Sequence, residues 1–389
     1  MLPLSRRTQP FKESVIREMT RIGAEVGGVD LAQGLPNFDP PPELVEALTR
    51  LVHDAGAHQY SFTWGTPPFR EAIALKYVNV NRMAVDPELE VTVTCGVSEA
   101  LAATVLALTE PGDEVVLVEP FYENYVPACV LGGAVPRFAS LEPVTGALDP
   151  ERLAAAIGPK ARLIVLNTPG NPSGRVFTKD ELAGVASLCQ RHGLVAVVDE
   201  IYERMTYDGK EHVSLASLPG MERRTVTLSG LGKTYAVTGW RVGWAVASPE
   251  LTALVRKVHD YLTVCAPTLF QEAGRVALAL PDSYYDDMRA KYASRRALLL
   301  PALARAGFSF REPEGAYYVM VDAAPLGWTD DVTFVDFLAR KVGVIAVPGS
   351  SFYAGDGGNT RARLNFAKKD ETLVEAGRRL LTADLRPRA

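Results

Sequence analysis

Leu194-Val195-Ala196-Val197-Val198-Asp199-Glu200 is an unbroken apolar run that ends in two acids. Such a run leaves no polar face for water, so it reads as a strand buried on both sides, as in a parallel sheet covered by helices. The surrounding segments repeat the pattern. Lys179–His192, just upstream, has helical spacing and closes on Gly193. Val91–Thr94, 114–118 and 163–166 are further strands before it, and 225–228 is one after it. Residues 98–108 form a helix ended by Pro111-Gly112. Strands alternating with helices predict an α/β fold. Its large domain, over 45–280, has a mostly parallel central sheet flanked by helices.

The flanks differ in texture. Residues 1–44 read as an arm, and Gly34, Pro36, Pro40, Pro41 and Pro42 argue for loop rather than helix there. Beyond Pro281 come a charged helix over 283–305, a strand over 317–322, a helix near 333–341 and a strand over 345–347. A strand-like 362–366 precedes a terminal helix. The expectation is a smaller α+β domain over 281–389, with the 1–44 arm contributing to it.

Composition narrows the function. The 389 residues are 47% hydrophobic and 22% charged, which excludes a disordered or collagen-like chain. A net charge of −5 with no long basic run makes nucleic acid a poor partner. Cys95, Cys129, Cys189 and Cys265 form no C-x-x-C pair, and the five histidines show no H-E-x-x-H spacing, so no metal site is expected. The stretch from Met1 to Phe11 has no apolar core of a secretory signal, and no apolar run approaches the ~18 residues of a membrane helix. A cytoplasmic protein with no membrane partner is expected.

A phosphate-loop reading fails first. Gly232-Lys233-Thr234 matches the tail of a P-loop, and the acids after Val198 mimic its partner strand. The leading glycine would fall on Thr227, and the two elements stand in reversed order. The same residues support other chemistry. Asp199 ends a buried strand, at the sheet edge where α/β folds bind ligands, although a strand-end Asp also serves as a helix cap. Tyr202 follows three residues on. Lys233 stands in a loop of small residues, Ser229 to Gly232, where a desolvated amine can act as a nucleophile. Arg241 can neutralise a phosphate. The turn-rich Asn167-Thr168-Pro169-Gly170-Asn171-Pro172-Ser173-Gly174 can present Asn171 to the same edge. Val97 and Ser98 open a helix whose first N–H groups suit an anion. Arg363 alternates with apolar neighbours and can clamp a carboxylate.

Together these pieces resemble the class I aminotransferases, fold type I enzymes that use pyridoxal 5′-phosphate. The resemblance runs from Leu31-Ala32-Gln33-Gly34-Leu35-Pro36 to Arg363-Leu364. It is carried by Asn171-Pro172-x-Gly174, Asp199-x-x-Tyr202, and Lys233 with Thr238-Gly239-Trp240-Arg241-x-Gly243. It implies that Lys233 holds the cofactor as a Schiff base and later moves the substrate's Cα proton. Asp199 would pair with the pyridine nitrogen. Tyr202 and Asn171 would bond the cofactor's 3′ oxygen, and Tyr122 would stack on the ring. Val97, Ser98 and Arg241 would bind the phosphate. Tyr60 would reach the neighbouring subunit's phosphate, which implies a homodimer. Arg363, Asn171, Tyr122 and the Gly34 backbone would hold the substrate. One departure stands out. Relatives often carry Ser three residues before the lysine, whereas here that position is Gly230. Ser229, one residue earlier, is carried as the candidate for the phosphate contact.

The implied reaction is transamination of an L-amino acid with a 2-oxo acid such as 2-oxoglutarate. Glu119-Pro120-Phe121-Tyr122 and Pro348-Gly349-Ser350-Ser351-Phe352 look most like the glutamine, kynurenine and methionine transaminase branch, with bulky neutral or aromatic donors. A β-lyase acting on cysteine S-conjugates or cystathionine is the alternative on the same cofactor. A DNA-binding regulator of this fold would carry an N-terminal helix-turn-helix domain, and with only about 44 residues before the first helix–strand unit that reading is the least expected. No second carboxylate-binding Arg or Lys for an acidic side chain stands out in the sequence.

Overall fold

The computed structural model describes residues 6–9, 11 and 13–387. The parts of the 1–44 arm at 1–5, 10 and 12 lie outside the described residues.

The arm supplies β1 (Val29–Asp30). Seven strands then build the main sheet: β2 (Val91–Thr94), β3 (Glu114–Glu119), β4 (Val135–Ser140), β5 (Ala161–Asn167), β6 (Val195–Asp199), β7 (Thr225–Gly230) and β8 (Gly243–Val246). Their order is β2-β8-β7-β6-β5-β3-β4, and β8 alone runs against the others. Alternation explains the apolar runs. Val116, Val118, Ile164, Leu166, Ala196 and Val198 pack to one side, with Leu182, Val185 and Leu188 of the helix Lys179–His192. Val115, Leu117, Leu163, Val165, Val197 and Leu228 pack to the other, with Leu101 and Val105 of the helix Val97–Leu108. Both faces of each strand are therefore dry, which a sheet sandwiched by helices requires.

The later segment forms β9 (Ser309–Phe310), β10 (Tyr318–Asp322), β11 (Val344–Ile345), β12 (Val347–Pro348) and β13 (Arg361–Asn365). A small antiparallel sheet has the order β12-β13-β10-β9, and β11 pairs in parallel with β1. The strand expected over 345–347 is thus two strands in different sheets, broken at Ala346. The helix expected near 333–341 is Asp331–Phe337 followed by a wider π turn, Leu338–Val342.

The arm departs from the loop expectation, because Val15–Val26 is a helix. The Ser14 hydroxyl accepts from the Arg17 N–H at its start, and Gly27 closes it in the left-handed region. Ile16, Met19 and Gly23 are buried along one face. The prolines and Gly34 punctuate only the stretch after it, so local breakers masked an amphipathic pattern upstream.

Candidate active site

The strand ends of the main sheet, the arm and β13 enclose a cleft of ≈ 360 Å³. Strand register brings Asp199 opposite Asn167 on β5 and Leu228 on β7. Asn167 then fixes two partners at once. Its amide donates to the Asp199 carbonyl (2.8 Å), and its side-chain oxygen accepts from the Asn171 N–H (2.6 Å). The expected Asn171 therefore reaches the cleft because the turn after β5 is tied to the end of β6.

Asp199 is 5% exposed. Its carboxylate accepts from the Tyr125 hydroxyl (2.9 Å) and the Ile201 N–H (3.2 Å). Burial raises its pKa from 3.8 to about 6, against the opposing pull of those two donors and of Lys233. At neutral pH this acid therefore ionises at a cost in free energy, which a close cation such as a protonated pyridine nitrogen would offset.

Lys233 follows β7 and donates its amine to the Gly34 carbonyl (2.7 Å), which also accepts from Tyr317 (3.1 Å). Burial, then the neighbouring Arg363 and Arg241, pull the lysine pKa below its usual range, while Tyr318 and Asp199 pull it back. Such an amine is closer to neutral, and therefore more nucleophilic, than a surface lysine. A Cβ at Gly34 would meet the Tyr318 hydroxyl at 2.2 Å, so the approach of arm and β10 demands glycine there. The Tyr202 and Tyr318 hydroxyls lie 3.1 Å apart, and burial holds Tyr202 well above the usual phenol range. Tyr122 packs edge-on to Tyr125 (5.9 Å between centroids) at the cleft wall.

The anion cradle is backbone. The helix Val97–Leu108 starts from Gly96, which supplies no side-chain cap, so its first N–H groups stay open to an anion. Gly96 has φ +81°, and a Cβ there would meet Arg241 Nη2 at 2.6 Å. Arg241 donates to the Thr238 (3.1 Å) and Cys95 (3.4 Å) carbonyls, which aims it across the helix start. Ser98 lines the same corner and accepts from Asn124 (3.0 Å). Cradle, buried acid and low-pKa amine together fit a phosphorylated pyridine aldehyde.

Arg363 on β13 is fully buried. It donates to Asn171 Oδ1 (2.9 Å) and to the Ala32 carbonyl (2.6 Å), and its Nε finds no partner among the described residues. No carboxylate among those residues pairs with it. The Tyr318 ring, 4.4 Å from the guanidinium carbon, gives partial compensation. Burying an unpaired charge costs several kcal/mol, so this site is built to receive an anion.

Two expected residues are not brought into this cleft. Ser229 points to the opposite side of β7, where its hydroxyl donates to Glu203 Oε1 (3.0 Å) beside a separate cavity of ≈ 170 Å³. Alternation along the strand sends its side chain away. Gly230 offers no substitute, since a Cβ there would lie 2.8 Å from the Val242 carbonyl of the neighbouring strand region. Tyr60 is 81% exposed and absent from the cleft lining of its own chain. Glu200, Glu203 and His212 bring ligand atoms within 4.8 Å of one another. Lys76 pairs with Glu203 (2.5 Å) within the chain, and His212 Nε2 lies 3.0 Å from Glu200 Oε2.

Sequence reasoning missed Tyr125, Asn167, Tyr317 and Tyr318. It also missed Ser14, Ile16, Arg17 and Glu123, which line the cleft mouth. Tyr125 lies three residues after Tyr122, a helical spacing that was a usable signal. The arm residues had none, because the helix carrying them was read as loop.

A mostly parallel sheet, a buried low-pKa lysine after β7 and a buried acid at the end of β6 fit a fold type I, pyridoxal-phosphate-dependent transferase of amino groups. The family Aminotransferase class I and II matches residues 26–380, and the chain belongs to it. Methionine aminotransferase of Escherichia coli (strain K12) is 35% identical over 380 residues, 98% of each chain. Kynurenine–oxoglutarate transaminase of Dictyostelium discoideum is 32% identical over 97% of this chain and 95% of that one. The solved N-succinyldiaminopimelate aminotransferase from Mycobacterium tuberculosis superposes with a TM-score of 0.94 at 38% identity, covering 97% of this chain and 99% of that one. The protein is thus a PLP-dependent aminotransferase. No helix among the described residues is long and apolar enough to cross a membrane.

Proposed function

We propose that this aminotransferase takes the amino group of an L-amino acid with a bulky neutral or aromatic side chain and passes it to a dicarboxylic 2-oxo acid such as 2-oxoglutarate. The supporting observation is the buried, unpaired Arg363 in the same cleft as the Lys233 amine. When bound, the cofactor supplies the electron sink of the reaction. Arg363 and Asn171 grip the substrate's α-carboxylate, Asp199 keeps the ring nitrogen protonated, and Lys233 carries the proton off Cα. Tyr202 and Asn171 hold the 3′ oxygen, and Val97, Ser98 and Arg241 hold the phosphate. Ser229 has no part in that contact. An amino acid added alone converts the bound cofactor to its amine form, seen in the cofactor's absorbance. No conversion with any common amino acid sinks the reading. Pyruvate and ammonia from an S-substituted cysteine without oxo acid would mark a β-lyase instead.

Arg17 supports the dicarboxylic acceptor. It lines the cleft mouth on the first turn of the arm helix. Its neighbour Arg21 faces Glu13, whereas Arg17 joins no ion pair among the described residues. Glu123, the carboxylate at the same mouth, already accepts from Ser14. Arg17→Gln is expected to lower kcat/KM for 2-oxoglutarate roughly tenfold, the worth of a charged hydrogen bond. A neutral 2-oxo acid such as 2-oxo-4-methylpentanoate should change less than about twofold. Equal losses for both acids remove Arg17 from this role.

The exposed Tyr60, Phe62 and Tyr261 support a homodimer in which Tyr60 serves the partner's phosphate. The division into an arm over 1–44, a large domain over 45–280 and a small domain over 281–389 is part of the same reading. So is a cytoplasmic location, which the four free cysteines support.

A further inference from the structure

Behind the phosphate cradle lies a buried histidine that the reaction does not use. His259 belongs to the helix Pro249–Thr263, which packs along the helix Val97–Leu108, and it is fully buried. Its Nε2 is 2.7 Å from the Thr63 carbonyl oxygen. A carbonyl only accepts, so that nitrogen carries a proton. Its Nδ1 is 3.1 and 3.2 Å from the two carboxylate oxygens of Glu99. A bare nitrogen lone pair would repel that carboxylate, whereas a second proton makes an ion pair. Thr263 Oγ1 stands 3.3 Å from the same nitrogen and adds no charge.

The chain of contacts runs on to the cradle. Glu99 Oε2 accepts the Cys95 N–H (3.0 Å), and the Cys95 carbonyl accepts from Arg241. Gly96, Val97 and Ser98 follow directly. On the other side of the ring, Thr63 lies three residues from Tyr60.

We propose that His259 is a positioning residue for the cofactor phosphate: its imidazolium, clamped between Glu99 and the Thr63 carbonyl, holds the 95–98 turn and the 60–63 segment in place, so that phosphate affinity follows its charge. The inference rests on the cofactor reading of the cleft. The titratable groups around the ring are Glu99 from the cradle helix, Asp260 beside it on its own helix, and Cys95 beyond Glu99, with Cys265 near Cys95. Burial alone would lower the His259 pKa. Glu99, then the Thr63 carbonyl and Asp260, outweigh burial and hold it above the usual 6.5. The geometry and the raised pKa both favour the second proton, and affinity falls as pH rises through that elevated value.

The test uses the full chain freed of cofactor. Pyridoxamine 5′-phosphate is the probe, because it makes no bond to Lys233, and pyridoxamine is the control that lacks the phosphate. Affinity is read by titration between pH 7 and 9.5, above the second ionisation of the phosphate. The ratio of the two dissociation constants isolates the phosphate contribution. For the wild type this contribution should weaken about tenfold across the range. His259→Asn should weaken it about tenfold at pH 7 and leave it flat with pH, and His259→Lys, which keeps the cation, should restore it. His259→Asn with wild-type affinity and wild-type pH slope overturns the proposal. If His259→Asn does not fold, the histidine Cε1–H resonances of the wild type decide. The pKa of the buried ring must rise when pyridoxamine 5′-phosphate binds, and an unchanged value overturns the proposal. A wild type that binds neither probe at any pH refutes the cofactor reading instead.

Discussion

Lys233→Ala is expected to cut turnover roughly 10⁴-fold while the protein still binds pyridoxal 5′-phosphate. The substitution removes the amine to which the proposed reading gives both the covalent link and the Cα proton transfer. It leaves the cradle of Val97, Ser98 and Arg241 and the ring partner Asp199 in place. It also leaves little strain, because the Gly34 carbonyl that accepts from Lys233 keeps its second donor, Tyr317. Single-turnover absorbance with a good donor amino acid reads the loss. A small primary amine in the buffer should recover part of it, since only a nitrogen base is missing. Turnover within about tenfold of the wild type would exclude Lys233 from the proton transfer.

Asp199→Asn is expected to lower turnover about 10³-fold and, at the same time, to stabilise the cofactor-free protein. The carboxyl pKa is raised by burial from 3.8 to about 6 in the folded chain. For an acid whose folded pKa lies above its unfolded one, the folded state prefers the proton, so stability falls as pH rises from about 4 through about 6 and the loss persists above. A shift of about two pKa units corresponds to roughly 3 kcal/mol. An amide pays no such charge penalty and still accepts from Tyr125. Thermal melts of the two cofactor-free proteins should therefore favour Asp199→Asn by a few degrees at pH 7.5 and converge near pH 4. Added cofactor should reverse the order at pH 7.5, because the protonated ring supplies the cation that the aspartate lacks. A cofactor-free wild type that melts higher than Asp199→Asn at pH 7.5 would refute the burial argument.

The main sheet was legible because burial on both faces writes itself as continuous apolar residues. Val195–Asp199 and its neighbours carry that signal, and so do the Gly193 stop and the turn formers around Asn171. The candidate site was legible because Asp199 ends β6, Lys233 follows β7 in a loop of small residues, and Arg363 alternates with apolar neighbours on β13. What escaped depends on contacts between distant segments. Tyr125 earns its role by reaching β6 across the sheet, which no local pattern records. Ser229 shows the reverse. Its distance from Lys233 in sequence looked right, yet strand alternation sends its side chain to Glu203. The helix Val15–Val26 was hidden by the prolines that follow it, and with it went Arg17. The 345–347 stretch read as one strand because sequence does not show that Ala346 passes between two sheets.

The pairing of β1 with β11, and the Arg363 bond to the Ala32 carbonyl, join the first tenth of the chain to its last eighth. During synthesis, therefore, the nascent polypeptide lacks its carboxylate grip until β13 has left the ribosome. A stop codon shortly before Arg361 would leave the cofactor cradle encoded in full but the substrate clamp unassembled.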